Sequence, residues 1–529
     1  MATGAPLVEV SCLWGNNHSV TVPIRPRRGP SQPTWHRYKS AVRKVDRDSL
    51  LVQAAAATAR FARDEVPEEL THTGLTPWCV ADVARTALAW SRFERPDADL
   101  PTLIRLCNQC VQLADEGLTR EPGSPERLGQ VLARHFFEQF PSQRSISSEV
   151  ARTILLFGSA VELPPGFAPE AMTPGWFEAV TDGLTLDDYV ESIFLISAVA
   201  QQHDGGFSLS WLTGPGSEEL GELIPLHAVR RTFTEHLVTT ASAFRESNRG
   251  FQDPLPPSQK KFAFNPLAAR PFIEDVAPIP IAPWVQAIMR RAVPPSIYHL
   301  ATEQLGDGFT RDLGQVFQHY VGRQLGLVTG ERHVIPEIRY GPRRSLTDSC
   351  DWFLDLPGAL VLVECKSRQP VESLRVGGAD WLGSVEGSVG KGIRQLNRSN
   401  RDIQAIAEHE PGVDPSKPRV GIVVTLEPFY VDQNWILAER LPPREFPIAV
   451  ISVGELESLV TLPAGELSRA LRDDEEASED DSLRLRRALA GERDNPLLVS
   501  TWESVGLFGR VESVKERLKE SEVADNRVT

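Results

Sequence analysis

One short stretch constrains this chain more than any other: an apolar run that ends in two opposite charges. Ala359–Val363 is wholly apolar, which is typical of a buried strand, and the turn dipeptide Pro357-Gly358 precedes it. Glu364 and Lys366 follow without a break in the strand pattern. Burying both charges is costly unless they pair with each other or bind a metal ion. This stretch is therefore the first candidate for a functional site.

The turn also predicts how the two strands pair. If Pro357-Gly358 is a two-residue hairpin turn, Leu356 pairs with Ala359 and, further out, Asp351 lies opposite Glu364. Directly opposed residues share a sheet face, and Lys366 lies two residues beyond Glu364, so all three side chains are expected on one face. Asp355 has the same parity but lies nearer the turn, and it is interpreted as a satisfied turn or edge carboxylate. The opposite face carries the predicted core residues Trp352, Leu354, Val361 and Val363.

This ordered set resembles the PD-(D/E)XK nuclease superfamily, whose members have the restriction-endonuclease-like fold. The resemblance rests on Asp351, on Glu364-Cys365-Lys366 after an apolar strand, and on two flanking helices. Phe309–Val321 is similar to the family's first core helix, and Gly390–Leu396 is similar to the helix that often carries a Gln facing the site. The resemblance covers roughly residues 300–453. Gln318 stands where many relatives carry Glu, which removes one metal ligand and leaves an inactive or altered site open.

The resemblance implies a Mg²⁺-dependent endonuclease, with Mn²⁺ as the alternative cofactor. Asp351, Glu364, Lys366 and Gln395 would be catalytic, and the ion would be held by Asp351, Glu364 and the main-chain carbonyl of Cys365. Mg²⁺ prefers oxygen ligands and lowers the pKa of bound water. Glu337, on a predicted strand over His333–Tyr340, and Gln318 are second-tier candidates. Glu337 could be a ligand or only a salt-bridge partner of Arg339 or Arg343.

Nucleic acid is the expected partner, with DNA favoured over RNA. The net charge of the chain is −15, but between Thr310 and Val420 Lys and Arg outnumber Asp and Glu by one. Lys391, Arg394 and Arg398 give the predicted helix over Ile393–Glu408 a basic side, which is either a phosphate-binding surface or a solvated helix face.

The predicted fold class is α/β, or α+β overall, with a helical N-terminal region followed by a mixed β-sheet core flanked by helices. Five segments are expected. They are an irregular stretch 1–48, a mostly helical domain 49–252 with a recognition or regulatory role, a Pro-rich linker 253–299, a nuclease-like domain 300–455, and a helical C-terminal region 456–529 containing the acidic run Asp473–Asp481. The apolar residues of the linker, Phe272 and Trp284 among them, predict that it packs down on a domain surface.

The sequence carries neither a signal peptide nor an apolar stretch of membrane-spanning length, so a cytoplasmic protein with reduced thiols is expected. Cys107 and Cys110 form a lone CxxC and are interpreted as core residues. The favoured function is a metal-dependent DNA endonuclease in bacterial restriction or anti-phage defence, acting as a homo-oligomer or with a partner protein. The alternatives are an inactive nuclease fold that binds nucleic acid or serves as a scaffold, and an N-terminal half that senses an effector.

Overall fold

The computed structural model describes residues 33–65, 73–92, 95–113, 124–139, 145–158, 160–214, 217–378, 380–432, 434–472, 493–511 and 513. These residues divide between two compact units. The helical unit comprises Thr34–Tyr320, Ser367–Trp381 and the chain from Pro496 onward. The sheet unit comprises Val321–Lys366 and Leu382–Asn495.

Helices make up most of the described chain. In order they are α1 Trp35–Val42, α2 Arg47–Ala62, α3 Pro77–Trp90, α4 Leu100–Val111, α5 Pro125–Gln139, α6 Ile146–Phe157, α7 Trp176–Val180, α8 Leu186–Gln202, α9 Ser217–Leu223, α10 Leu226–Arg231, α11 Ala241–Gln252, α12 Gln286–Met289, α13 Pro294–Leu325, α14 Glu372–Arg375, α15 Gly383–Val385, α16 Lys391–Arg401, α17 Ile403–His409, α18 Trp435–Ala438, α19 Val453–Leu459, α20 Ala464–Arg472 and α21 Pro496–Glu503. A kink at Gly306, whose backbone is not helical, divides α13 into two helical parts.

The strands are short except at the centre of the sheet unit. They are β1 Val238–Thr239, β2 Phe272–Ile273, β3 His333–Pro336, β4 Arg339–Tyr340, β5 Thr347–Asp348, β6 Trp352–Leu356, β7 Ala359–Lys366, β8 Arg419–Thr425 and β9 Ile448–Ser452.

Capping residues fix where several helices of the helical unit begin. The Asp46 carboxylate accepts hydrogen bonds from the backbone N–H groups of Asp48 and Ser49 at the start of α2. Asp99 caps α4 in the same way by accepting from Thr102 N. These side chains satisfy amide groups that have no partner inside the helix, so each helix begins at a residue that the sequence specifies.

The core of the helical unit includes three cysteines. Cys79 on α3 and Cys107 and Cys110 on α4 are fully buried, and each is a free thiol. The interpretation of the CxxC pair as core residues is confirmed. Cys110 Sγ lies 3.4 Å from Asp82 Oδ2, which also accepts a 2.8 Å hydrogen bond from the Tyr38 hydroxyl. The thiols are thus part of a packed interior with internal polar partners.

A five-stranded mixed sheet organises the sheet unit, in the order β3-β6-β7-β8-β9. Strands β3, β6 and β7 pair in antiparallel fashion, whereas β7, β8 and β9 are parallel. The expectation of a mixed helix-and-sheet chain with a helical N-terminal region is confirmed. Because β7 is the third of the five strands in this order, its carboxyl end is in the middle of the sheet.

Helices pack on both faces of this sheet. A side chain at Gly322, in the last turns of α13, would overlap the indole ring of Trp352 within 2.7 Å. On the other face, a Cβ at Gly392 of α16 would lie 3.1 Å from Val423 Cγ1 and 3.3 Å from Lys366 Cε. Glycine at these two positions lets the helices approach the strands closely. Both faces of β7 are therefore covered along its apolar part.

Several predicted boundaries differ from the structure. Within the segment expected to be irregular, residues 35–42 form α1 and α2 begins at Arg47. The Pro-rich segment 253–299 packs in the helical unit, where Leu267, Phe272 and Val285 are fully buried, and the two units divide at Tyr320 instead. Apolar side chains between the prolines give this segment a core-forming role. Most of residues 1–48 and the acidic run Asp473–Asp481 lie outside the described residues.

Two further observations concern the chain as a whole. The predicted single strand His333–Tyr340 is divided into β3 and β4, because the backbone at Ile338 bonds with Ser349 and β4 then pairs with β5.

Within the described parts of the chain, no helix is both long enough and apolar enough to cross a membrane.

Candidate functional site

The hairpin β6–β7 has the register that the sequence predicts. Trp352 pairs with Val363 and Leu356 with Ala359, so Pro357-Gly358 is a two-residue turn, in which Gly358 takes a positive φ of 85°. This conformation favours glycine because a side chain would be strained there. The register extends the pairing toward Asp351 and Glu364 at the open end of the hairpin.

Asp351 lies just before β6, outside the hydrogen-bonded ladder. Its Oδ2 atom accepts a 2.6 Å hydrogen bond from the backbone N–H of Cys365, between Glu364 and Lys366. The predicted role of Cys365 was to supply its carbonyl oxygen, and the contact in the structure uses its amide. Asp351 is thereby fixed against the end of β7, next to the two charged residues with which it was grouped.

Glu364, Lys366 and Gln395 form a continuous line of polar contacts. Lys366 Nζ lies 2.6 Å from Glu364 Oε1 and donates a 3.0 Å hydrogen bond to Gln395 Oε1 on α16. The Glu364 side chain is almost completely buried, while Lys366 retains 15% exposure. Glu364 and Lys366 are close together as the register predicts, and Gln395, which was expected to face the site, holds the ammonium group from α16.

The second oxygen of Glu364 distinguishes this cluster from an ion pair whose polar atoms are all bonded within the protein. Glu364 Oε2 is buried and has no hydrogen-bond partner among the described residues. A buried carboxylate oxygen without a partner carries a desolvation cost that the fold does not recover. The atom is thus positioned to accept a bond that the chain itself does not supply.

Burial and neighbouring charge raise the pKa values of the carboxyl groups. The pKa of Glu364 is raised to about 8, chiefly by desolvation and then by the charge of Asp351, against the opposing effect of Lys366. Burial also raises the pKa of Asp351, although the Cys365 amide and Lys366 act in the opposite direction. Burial therefore favours the protonated form of Glu364, whereas Lys366 and any bound cation favour its ionised form.

Glu337 lies between β3 and β4 and adds a third carboxyl group to this region. Desolvation and then the charge of Asp351 raise its pKa to about 6, while Arg339 and Arg398 partly offset the increase. Glu337 therefore interacts electrostatically with Asp351, as a second-tier ligand candidate would. Arg339 forms its ion pair with Asp348 at 2.9 Å, and among the described residues neither Arg339 nor Arg343 lies at ion-pair distance from Glu337.

The basic residues of α16 have different environments. Lys391 and Arg394 are exposed, and Arg394 lies 3.5 Å from Glu386. Arg398 is half-buried and donates a 2.8 Å hydrogen bond to the carbonyl oxygen of Asp348. The predicted basic side of the helix is present, but Arg398 is partly committed to the protein backbone. Lys391 and Arg394 remain the better candidates for phosphate contacts.

Gln318 and Asp355 belong to different units of the chain. Gln318 is on the part of α13 that belongs to the helical unit, and the cluster above is built entirely from the sheet unit. Asp355 forms an ion pair with Lys417 and lies 3.5 Å from His333 Nδ1, which confirms its interpretation as a satisfied carboxylate.

Sequence reasoning missed the contribution of Gly392. Its missing side chain leaves the room that the Lys366 stem occupies beneath α16, with Lys366 Cε 3.3 Å from where a Cβ would lie. The signal was present as two glycines, Gly390 and Gly392, at the start of a helix, where glycine is otherwise unfavourable. Their close packing could not be inferred without the position of β7.

The donor set suits a hard divalent cation. Asp351 and Glu364 supply carboxylate oxygens, and Glu364 Oε2 is the unpartnered buried atom that such an ion would satisfy. Among the described residues, no group of three or more His, Cys, Asp or Glu side chains is arranged to hold a metal. A site here would accordingly use the two carboxylates together with main-chain oxygen or water.

No protein-family model matches the chain, and no curated protein and no solved structure is significantly similar to it. The arrangement of the residues around Glu364 is therefore what supports a functional assignment.

Proposed function

We propose that this protein is a metal-dependent nuclease that hydrolyses phosphodiester bonds, with DNA as the favoured substrate, and that its sheet unit has the restriction-endonuclease-like fold. The observation that carries the proposal is Glu364 Oε2, a buried carboxylate oxygen without a partner among the described residues. It lies on a carboxyl group that also contacts Lys366 and is close enough to Asp351 to feel its charge. Paired carboxylates with an adjacent ammonium group meet the needs of phosphoryl-group hydrolysis.

Asp351, Glu364 and the carbonyl oxygen of Cys365 would hold Mg²⁺, or Mn²⁺ in its place. The ion would supply neutralisation of phosphoryl charge and a bound water of lowered pKa. Lys366 carries three N–H donors, of which contacts with Glu364 and Gln395 use two. The remaining donor can orient water or stabilise charge on the phosphate, while Gln395 holds the ammonium group in position.

Lys391 and Arg394 would contact the phosphate backbone from the exposed side of α16. A role in bacterial restriction or anti-phage defence, in the cytoplasm and with a partner protein or a second copy, belongs to the same proposal through the resemblance of the motif. One observation favours the alternative of an inactive nuclease fold: Lys366 already neutralises one oxygen of Glu364, as in a purely structural buried pair.

The deciding experiment incubates the full chain with supercoiled plasmid DNA and with single-stranded RNA, in Mg²⁺, Mn²⁺ or EDTA. We expect DNA cleavage with either metal ion and none in EDTA. Lys366→Ala should cleave at least about 100-fold more slowly, the effect typical of losing one preorganised donor. Lys417→Ala removes a lysine of similar chemistry from the Asp355 pair and should cleave within about twofold of the wild-type rate, because Lys417 contacts Asp355 and the Leu356 carbonyl at the turn end of the hairpin.

Two outcomes would overturn parts of this proposal. If the wild-type chain binds nucleic acid but cleaves neither substrate with any metal ion, the inactive alternative holds. If Lys366→Ala cleaves as fast as the wild type, the active site lies elsewhere.

A further inference from the structure

A cavity of about 450 Å³ lies in the helical unit, between α1, α4 and the residues that precede α4. Its volume is within the range of roughly 300–1,000 Å³ that is usual for small-molecule sites. Arg37, Lys44 and Arg105 line it, together with the hydroxyl-bearing residues Ser40 and Thr102. Every residue of this cavity belongs to the helical unit, so it is separate from the cluster around Glu364.

The helical periodicity explains why these groups face one space. Arg37, Ser40 and Lys44 recur at intervals of three and four residues along α1 and the turn that follows it, so they share one face. The opposite face of α1 is buried through Trp35 and Tyr38. Thr102 and Arg105, three residues apart on α4, form the facing wall by the same geometry.

The side chains that line the cavity include more cations than carboxylates, although the chain as a whole is acidic. Asp97 is the one acidic residue among those that line it, against three cations. Within the described part of the chain, neither Lys44 nor Arg105 lies at ion-pair distance from a carboxylate, and both are exposed. Asp99, the N-cap residue of α4, interacts electrostatically with Arg105, so three cations and two carboxylates meet in this region of a chain whose net charge is −15.

The lining also determines the kind of anion that fits. Guanidinium and ammonium groups with nearby hydroxyl groups match the oxygen atoms of a phosphate monoester, which carries up to two negative charges. The cavity is larger than one phosphate group needs, and Ala41, Val45 and Pro96 supply an apolar wall against which a nucleoside could pack.

We propose that this cavity binds a phosphate monoester carried on a nucleoside. The source is either a free mononucleotide or the terminal phosphate of a nucleic-acid strand, and both present the same chemistry. The proposal does not rest on phosphodiester hydrolysis at Glu364. It assigns the helical unit a ligand-binding function of its own.

The test measures binding of dAMP and of deoxyadenosine to the full chain by calorimetry, in EDTA and at low salt. We expect saturable binding of dAMP and at least about tenfold weaker binding of deoxyadenosine, because charge-assisted contacts to phosphate are strong. The double variant Lys44→Gln/Arg105→Gln should bind dAMP at least about tenfold more weakly for the same reason. Arg249→Gln, which removes an exposed charge from α11, is the matched control and should bind dAMP as the wild type does.

A second pair of probes identifies the source of the phosphate. If a 5′-phosphorylated oligonucleotide binds more tightly than both dAMP and the same oligonucleotide with a 5′-hydroxyl group, the ligand is a strand end. If dAMP binds at least as tightly as the phosphorylated oligonucleotide, the ligand is a free nucleotide. The proposal is wrong if dAMP and deoxyadenosine bind equally, if neither binds, or if the double variant binds dAMP like the wild type. The variants are exposed substitutions, and circular dichroism would verify their folding.

Discussion

Two acid–lysine pairs lie on the same sheet, and they differ in whether their polar atoms are satisfied. Asp355 forms an ion pair with Lys417, which also donates a 3.1 Å hydrogen bond to the carbonyl oxygen of Leu356, and His333 lies 3.5 Å from the other carboxylate oxygen. Glu364 pairs with Lys366 in a more buried position, yet its second oxygen has no hydrogen-bond partner among the described residues. The first pair is complete within the fold. In the second pair, one carboxylate oxygen has no bonding partner, which is expected of a site that binds a ligand from outside the chain.

The substitution with the largest expected effect tests this difference between the two pairs directly. Asp351 and Asp355 lie four residues apart and have the same parity, so Asp351→Asn and Asp355→Asn are matched substitutions. We expect Asp351→Asn to reduce metal-dependent plasmid cleavage by about 10³-fold, because it removes a charged metal ligand. Asp355→Asn should remain within about twofold of wild type, since its pair is partly exposed. Equal losses of cleavage in the two variants would contradict the difference between the Asp355–Lys417 pair, whose polar atoms are satisfied, and the Glu364–Lys366 pair, in which one oxygen has no partner.

A second prediction uses the raised pKa of Glu364 to test the same distinction through stability. In metal-free protein the folded state holds a proton on Glu364 up to about pH 8, whereas the unfolded chain releases it near the ordinary value of 4.5. The contribution of Glu364 to the free energy of unfolding should therefore be highest below pH 4.5 and should fall as the pH rises toward 8. One such group contributes at most about 1.4 kcal/mol per pH unit over that interval.

The measurement is the melting temperature in EDTA from pH 6 to pH 9. Wild type and Asp355→Asn should both lose stability over this range, while Glu364→Gln should lose less because it cannot ionise. Mg²⁺ should restore part of the loss in the wild type, because binding to the ionised site stabilises the folded state. A pH profile of Glu364→Gln that is parallel to the wild-type profile would show that Glu364 does not have the raised pKa.

The substitution with the smallest expected effect is in α16, the helix that covers the Glu364–Lys366 pair. Gly392→Ala places a methyl group 3.3 Å from Lys366 Cε and 3.1 Å from Val423 Cγ1, so Lys366 or α16 must shift. We expect cleavage to fall by about tenfold, the usual scale for a small misplacement of a catalytic group. Gly465→Ala is the control, because a Cβ there meets no atom within 4 Å and should stabilise α20 by up to about 1 kcal/mol. Unchanged cleavage by Gly392→Ala would mean that the position of Lys366 is not critical.

Much of the sheet face could be predicted from the sequence because a two-residue turn fixes the pairing of every residue beyond it. That rule placed Asp351 near Glu364 and gave Asp355 a different role, and the structure agrees on both counts. The rule says nothing about partners that come from distant segments. The commitment of Arg398 to the carbonyl of Asp348 and the close approach of Gly392 to β7 depend on packing that no local pattern encodes.

Boundaries within the helical unit were predicted less well for a related reason. The Pro-rich segment was expected to connect two domains because proline disfavours regular structure. In the structure its apolar residues, Phe272 and Val285 among them, are fully buried in the helical unit. The aromatic residues between the prolines predicted that this segment packs down on a domain surface, and the burial of Phe272 agrees with this prediction. Which unit the segment joins is decided by the surfaces that the rest of the chain offers.

The turn at Pro357-Gly358 has one more consequence, which concerns chain length. The Ser468 hydroxyl donates a 2.7 Å hydrogen bond to the Pro357 carbonyl, and Arg472 donates a 3.1 Å hydrogen bond to that of Gly358, so α20 holds both turn residues. One inserted or deleted residue would turn Glu364 to the opposite face, because side chains alternate along a strand. The number of residues between Asp351 and Glu364 is therefore fixed by the structure. We expect natural variants of this chain to keep the length of that interval even where the residues within it differ.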